Sequence, residues 1–379
     1  MNLTKKKIKI AVAMSGGVDS SVAAALLAKQ GYDVMGVFMH FWFETPKDGQ
    51  KLDEFVNRCC SLEAEKMARG VCEKIGIPFY TLNVAEEFKK AVVDHFLSEL
   101  KKGATPNPCV VCNKEIKFKL LLEKAESFGA DAVATGHYAR IKREIPNPKS
   151  QIPNKNQIPV YKLLKAKDRN KDQSYFLYNL TQAQLAKYLF PIGDHLKTDV
   201  RKMAKKLDLP VWNRPESQEI CFISDNDVRR FISEYLDLTP GKIIDTAGKV
   251  LGTHSGLPLF TVGQRHGLGI GGGKPYYAVK MDYKTHELIV TSDTEDKLLY
   301  RKDLIAESVN WISGKMPSSS AKCQATIRYR HKLEEAIVKP LEKGKYEVKF
   351  AVPQRAMTSG QSVVFYKGEE ALGGGIISL

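Results

Sequence analysis

The segment Ser15-Gly16-Gly17-Val18-Asp19-Ser20 constrains this 379-residue chain more than any other, because it joins a short apolar strand to a helix. Residues 8–13 are mostly apolar and partly β-branched, as in a strand buried on both faces of a parallel sheet. After the turn, Val22, Leu26 and the alanines between them repeat at helical spacing as far as Gly31. Gly16 and Gly17 can take backbone conformations closed to other residues and let amides approach an anion. The helix start adds unbonded N–H groups and the positive end of its dipole. Ser15 and Ser20 can donate hydroxyls to phosphate oxygens, and Asp19 can hold a magnesium ion that bridges them. A plain glycine turn with an N-cap competes with this reading, but two hydroxyls and a carboxylate within six residues favour a phosphate cradle. The lysine of a Walker-type loop and the Gly-x-Gly-x-x-Gly dinucleotide fingerprint are both missing, which weakens the kinase and dehydrogenase readings.

Strand patterns recur at 34–39, 79–84 and 132–135 with helical patterns between them, the mark of a doubly wound α/β domain. A helix over 60–75 places Leu62, Met67, Val71 and Ile75 on one stripe and ends at Gly76. Helices are also expected over 115–128, 182–189 and 199–207. The stretch 144–159, with Pro146, Pro148 and Pro153, reads as an exposed hairpin insertion. From Pro240 the texture changes to short strands punctuated by glycine, including 275–280 and 288–291. Further strands are expected at 325–330, 346–351 and 362–366. The expected architecture is therefore a parallel-sheet nucleotide domain over 1–222, a small central α+β domain over 223–296 and a C-terminal β-barrel over 297–379.

Net charge is +15, which favours a polyanionic partner. No apolar run approaches the ~18–20 residues of a membrane span, and Lys5-Lys6-Lys7 leads directly into the first strand, so a cytoplasmic protein without a signal peptide is expected. Seven cysteines, an odd number, argue against a disulfide scaffold. Cys72 reads as core, and burial is favoured for the vicinal pair Cys59 and Cys60. Cys109 and Cys112 lie in Asn107-Pro108-Cys109-Val110-Val111-Cys112, a proline-rigidified loop before a helix, where the dipole with Lys114 and Lys117 favours a Cys112 thiolate. Cys221, between Ile220 and Phe222, is by itself more readily explained as packing. Zinc would need a fourth ligand, and the usual context of a thioredoxin-like pair is missing. A [4Fe-4S] cluster on Cys109, Cys112 and Cys221 would leave one iron open.

The 15–20 loop resembles that of the ATP pyrophosphatases, and several blocks in order extend the resemblance to the tRNA-specific 2-thiouridylases over nearly the whole chain. These blocks are 13–20, Phe38-Met39, 107–108 with 112–118, Ala134-Thr135-Gly136-His137-Tyr138, 171–177, 263–272, Arg328-Tyr329, Gly360-Gln361-Ser362 and 372–377. The resemblance implies that Ala13, Met14, Ser15, Gly16, Gly17, Val18, Asp19, Ser20, Met39 and Gly136 hold ATP. It implies that Asn107, Pro108 and Cys109 face the target base, and that His137, Lys171, Asp172, Gln173, Arg328, Tyr329 and Gln361 contact the anticodon stem-loop of tRNA. Cys112 and Cys221 would be catalytic, with Cys221 carrying a persulfide supplied by a sulfur-relay protein or cysteine desulfurase and a Cys112–Cys221 disulfide as the by-product. Many members carry aspartate at the position of Cys109, so that residue's proton-transfer role does not transfer here. A third thiol instead adds a soft ligand for the cluster alternative. The implied reaction adenylates uridine O2 and replaces it with sulfur. Other readings are a small-molecule ligase of the same superfamily, which leaves the cysteines and the basic barrel unexplained, and a nucleotide-switched RNA-binding protein.

Overall fold

The computed structural model describes residues 7–43, 61–144, 159–215, 220–223, 227–271 and 273–379. The vicinal pair Cys59 and Cys60 and the expected insertion loop lie outside the described residues. The first sheet holds β1 (Lys9–Met14), β2 (Asp33–His40), β3 (Phe79–Asn83), β4 (Ala132–Ala134) and, later in the chain, β7 (Tyr188–Leu189), in the order β3-β2-β1-β4-β7. All four of its pairings are parallel. Side chains alternate across a strand, so β1 and β2 divide the interior in two. Ile10, Val12, Val34 and Phe38 join a core beneath helices α1 (Val18–Lys29) and α2 (Leu62–Ile75), while Ala11, Met35, Val37 and Met39 join a second core on the opposite face. Both faces are covered, which is why these strands read as continuous apolar runs.

Several expectations shift. α2 is present and ends on Gly76 in the left-handed conformation, but its buried stripe is Ala64, Ala68, Val71 and Cys72, and Leu62 is 74% exposed. Leu62 is the first helical residue, just after the Ser61 cap, so the stripe begins one turn later than its pattern suggests. The expected 182–189 helix stops at Leu185, and Tyr188 and Leu189 add the fifth strand to the sheet edge. The expected 115–128 helix begins earlier, at Pro108. Asn107 caps it, Pro108 takes the first helical position, and the helix runs through Pro108–Val111, a π-helical stretch Cys112–Leu120 and Leu121–Ser127.

β5 (Ala139–Glu144) and β6 (Val160–Lys165) pair antiparallel on either side of the insertion. The central sheet takes β8 (Gly241–Asp245), β9 (Val250–His254), β10 (Tyr277–Asp282) and β11 (Glu287–Thr291) in the order β10-β11-β8-β9. The helix Val228–Tyr235 anchors this unit, because Phe231 and Ile232 are buried in the second core of the first sheet. A barrel follows from β12 (Tyr300–Trp311), β13 (Ala321–Thr326), β14 (Glu334–Pro340), β15 (Tyr346–Arg355), β16 (Ser362–Lys367) and β17 (Glu370–Ser378). The order β12-β15-β14-β13-β16-β17 closes through β12–β17. The β17 strand also pairs with β6, so the β5–β6 hairpin of the first unit extends the barrel sheet. Among the described residues, no helix is long and apolar enough to cross a membrane.

Candidate active site

Strand order reverses beside β1: the chain steps outward to β2 and β3, then returns to place β4 on the other side. Loops leaving β1 and β4 therefore diverge from adjacent strand ends and open a crevice, the place where open α/β sheets bind ligands. The 15–20 loop leaves β1, and Thr135-Gly136-His137 leaves β4.

The loop is already closed on itself. Ser15 and Ser20 hydroxyls lie 3.1 Å apart, and the Ser20 Oγ accepts from the Ser15 amide at 3.2 Å. Gly16 is left-handed at φ +68°, and a Cβ there would lie 2.3 Å from the Ala64 carbonyl oxygen of α2. Gly17 stands at the N-cap of α1 without a side-chain cap, so its amides remain available to an anion. Gly136 presses on the same helix start, since a Cβ there would sit 2.6 Å from the Ser20 amide nitrogen. Ala13 and Met14 complete β1, while Met39 ends up in the core on the opposite face of the sheet.

Three contacts at this loop come from residues absent from the expected site. Lys197, the first residue of the helix Lys197–Lys206, donates to both Asp19 carboxylate oxygens at 2.7 and 2.8 Å. The Tyr138 hydroxyl donates to Asp19 Oδ1 at 2.8 Å. Arg214 Nη1 donates to the Gly16 carbonyl at 2.7 Å, and Arg201 of the same helix as Lys197 donates to the Arg214 carbonyl at 3.2 Å. One sequence signal points to Lys197: a lysine at a helix N-terminus opposes the dipole, the kind of local conflict that collects at functional positions.

A path of contacts leads from the 15–20 loop to the helix that carries Cys109 and Cys112. Gly136 touches α1, and His137 follows it. The His137 ring lies 5.5 Å from Phe118, on the π-helical stretch that begins at Cys112. Burial, and then the charge of Lys117, lowers the His137 pKa to about 3, so the ring is neutral at physiological pH. Its Nδ1 is 2.7 Å from the Thr135 hydroxyl. Cys112 is buried and Cys109 exposed, one helical turn apart. Cys109, close to the helix start, takes the dipole position expected for Cys112. Cys221 is half-buried and packs with Phe222 on the core that contains Cys112. Among the described residues, no group of three or more His, Cys, Asp or Glu side chains is placed to hold a metal. Cys72 and Cys323 are inert by contrast, each thiol pushed up to about 12 by burial and a neighbouring glutamate.

The expected RNA-contacting residues divide by task. Asn107 caps its helix by accepting from the Val110 amide at 3.4 Å. Asp172 accepts from the Ala166 amide at 2.9 Å and the Ser174 hydroxyl at 2.8 Å. Gln173 accepts from the Tyr138 amide at 2.8 Å. These side chains brace the first unit. Gln361 donates to the Thr105 carbonyl at 2.8 Å and so ties the barrel to the loop before Asn107. Arg328, Tyr329 and Arg330 occupy a turn rather than the expected strand, because β13 ends at Thr326 and Arg330 is left-handed. The Tyr329 ring packs at a tilt 4.6 Å from Phe176, whose carbonyl accepts from Asn113, the residue after Cys112. Arg328 reaches solvent, yet desolvation by its neighbours and the like charge of Arg355 lower its pKa from the ordinary guanidinium value. Hydroxyls seal the seam between the two units: Tyr175 to the Ser362 carbonyl at 3.0 Å, and Ser174 to Tyr366 at 3.1 Å.

Residues 8–225 match a family described as the tRNA methyl transferase HUP domain, 229–292 its PRC-barrel domain, and 301–377 an aminomethyltransferase beta-barrel domain. The chain is 46% identical to the tRNA-specific 2-thiouridylase MnmA of Carboxydothermus hydrogenoformans, over 97% of each chain. It is 47% identical to the protein of the same name from Roseiflexus castenholzii over 98% of this chain and 99% of that one. For the Geobacillus thermodenitrificans relative the identity is 46%, over 100% and 96%. The domain descriptions speak of methyl transfer and the relatives of thiolation; identity at this level over whole chains is the more specific guide.

Proposed function

This chain belongs to the family of tRNA-specific 2-thiouridylases, and on that premise we propose that it replaces O2 of the wobble uridine of tRNA with sulfur at the expense of ATP. The observation that carries the reading is the closed Ser15–Ser20 loop at the strand-order reversal, an anion cradle within contact distance of the path that leads to Cys112.

In the first half-reaction, ATP lies with its phosphates on the amides of 16–20. Uridine O2 attacks the α-phosphorus, pyrophosphate leaves, and the oxygen becomes a good leaving group as an AMP ester. Amides aimed at the phosphates stabilise the charge that develops there. Asp19 is the carboxylate that would hold magnesium beside the phosphates, and the ion would neutralise pyrophosphate as it departs. In the second half-reaction, the terminal sulfur of a Cys221 persulfide attacks C2 and AMP is expelled. The Cys112 thiolate then attacks the Cys221 sulfur, releasing the thiocarbonyl and leaving a Cys112–Cys221 disulfide for an external thiol to reduce. The persulfide comes from a sulfur-donor protein. A cluster on Cys109, Cys112 and Cys221 is the alternative sulfur carrier, and no step is assigned to it.

The wobble base must be turned out of the anticodon loop to reach a half-buried thiol, at about a few kcal/mol. Arg328 and Tyr329 on their turn offer charge and an aromatic face to that loop. We place the units near 1–222, 223–296 and 297–379, with the protein acting in the cytoplasm.

The test is a single-turnover assay with unmodified tRNA, ATP and a persulfide donor. Pyrophosphate release that depends on tRNA, followed by 2-thiouridine, supports the reading. Pyrophosphate without RNA-bound sulfur, or RNA binding without pyrophosphate, would sink it. Full activity only after anaerobic reconstitution with iron would replace the persulfide half.

A further inference from the structure

We propose that Lys197, paired with Asp19 beside the loop, is the phosphate-binding cation of this site, able to exchange its carboxylate partner for the phosphates of ATP, while Asp19 would be the residue to hold magnesium. The inference rests on the reading of the 15–20 loop as an ATP site.

The loop itself contains neither lysine nor arginine. A helix N-terminus supplies about half an elementary charge, far short of what a triphosphate needs. Asp19 makes matters worse, since it lies in the first turn of α1 and places a carboxylate at the mouth of an anion site. Lys197 answers both problems. Its ammonium spans the two Asp19 oxygens at 2.7 and 2.8 Å, under the Tyr138 ring, with the tyrosine hydroxyl on Asp19 Oδ1. Lys197 is only 8% exposed.

Folding alone does not call for this residue. A buried ion pair is commonly no more stable than an apolar pair of the same shape. A cation at the start of a helix is also disfavoured by that helix's dipole, and the backbone there is already capped by Asp168, which accepts from the Lys197 amide at 2.9 Å. What the pair does provide is a neutral store of opposite charges beside a loop that must receive a tetra-anion and a divalent cation together. Lysine suits the exchange better than arginine, because a point charge with rotatable donors on a flexible stem can leave a carboxylate for a phosphate without a fixed fork geometry. Arg201, one turn along the same helix, holds the backbone of Arg214, whose guanidinium grips the Gly16 carbonyl. The helix that presents Lys197 is thereby locked in register with the loop.

The test compares magnesium-ATP and adenosine binding to the full chain by titration calorimetry. Adenosine carries no phosphate, so it reports the integrity of the pocket. Lys197→Met is expected to weaken magnesium-ATP binding by about 10- to 100-fold, the loss typical of a charged hydrogen bond, and to change adenosine binding by less than about twofold. The double variant Asp19→Asn with Lys197→Met removes both charges, retains a similar shape and guards against misfolding of the single variant. It is expected to keep the wild-type melting temperature within a few degrees while losing the preference for ATP over adenosine. Wild-type preference in the double variant would overturn the assignment of Lys197. If the unmodified protein itself bound ATP no better than adenosine, the ATP-site reading would fall instead.

Discussion

The two halves of the proposed site, the glycine loop for phosphate and the cysteines for sulfur, are built in opposite ways. The cradle is one local segment: Gly16, Gly17, Ser15 and Ser20 lie within six residues, and the turn that they form follows from glycine geometry and a strand-to-helix transition. The thiols instead come from two segments more than 100 residues apart in sequence. They meet on a common core, where Phe222, beside Cys221, packs on Phe88 and Phe96 and the π-helical stretch starts at Cys112. A local anion site needs backbone geometry, which neighbouring residues can dictate. Sulfur transfer needs two thiols to approach one carbon, which only packing can arrange.

Variants can break that contrast into its parts. The largest effect is expected from a double dissociation. Cys112→Ala and Cys221→Ala should each lower thiolation by about three orders of magnitude or more and leave ATP affinity nearly intact, as expected for groups that act in covalent catalysis. Gly16→Val should do the reverse at the first step, since a side chain at φ +68° would press on the Ala64 carbonyl at 2.3 Å and abolish ATP binding. A Cys112→Ala protein that still made thiouridine at the wild-type rate would remove that thiol from the chemistry.

His137 joins the two halves and should show its neutrality in the pH dependence of stability. Its pKa falls from 6.5 to about 3 on folding, so the unfolded chain binds the proton more tightly. The contribution is fully present above about pH 6.5 and is lost as pH falls towards 3, amounting to at most about 5 kcal/mol of acid sensitivity. Denaturant titrations of wild type and His137→Gln between these limits should diverge, with the variant flatter. Parallel curves would mean that the ring is solvated.

Gly136→Ala tests the joint from the other side. Its Cβ would meet the Ser20 amide nitrogen at 2.6 Å and the Asp19 carbonyl carbon at 2.8 Å, both backbone atoms that cannot rotate away. Overpacking of this kind costs about 1–3 kcal/mol, so the melting temperature and ATP affinity should drop together. Unchanged ATP affinity would show that the two loops do not share a wall. The smallest effect is expected at the barrel: Arg328→Ala should weaken tRNA binding a few-fold and reduce the slope of log affinity against log salt by about one. An unchanged slope would take Arg328 off the phosphate backbone.

Much of the fold was legible because periodicity and glycine placement are local. Strands β1 to β4 and the barrel strands β15 and β16 lie within a few residues of their expected positions. Where local patterns misled, a neighbour in space had intervened. Tyr188 and Leu189 continue an apolar helical pattern, but hydrogen bonds from β4 draw them into the sheet. Arg328 and Tyr329 continue an alternating pattern, but the chain turns at Ile327 to bring Tyr329 onto Phe176. At Asp172 and Gln173, which the resemblance implies contact tRNA, the structure adds a bracing role that sequence did not show: their side chains accept from the backbone amides of Ala166 and Tyr138.

The sequence by itself determined the glycine loop proposed for phosphate, the parallel sheet that carries it and the cysteines proposed for sulfur transfer, because backbone conformation, strand periodicity and side-chain chemistry are properties of short segments. The tertiary structure decided which charges complete the loop. Lys197 reaches Asp19 across 178 residues, and Arg214 reaches Gly16 across 198. Coulomb attraction acts between neighbours in space, and only the folded chain determines who those neighbours are.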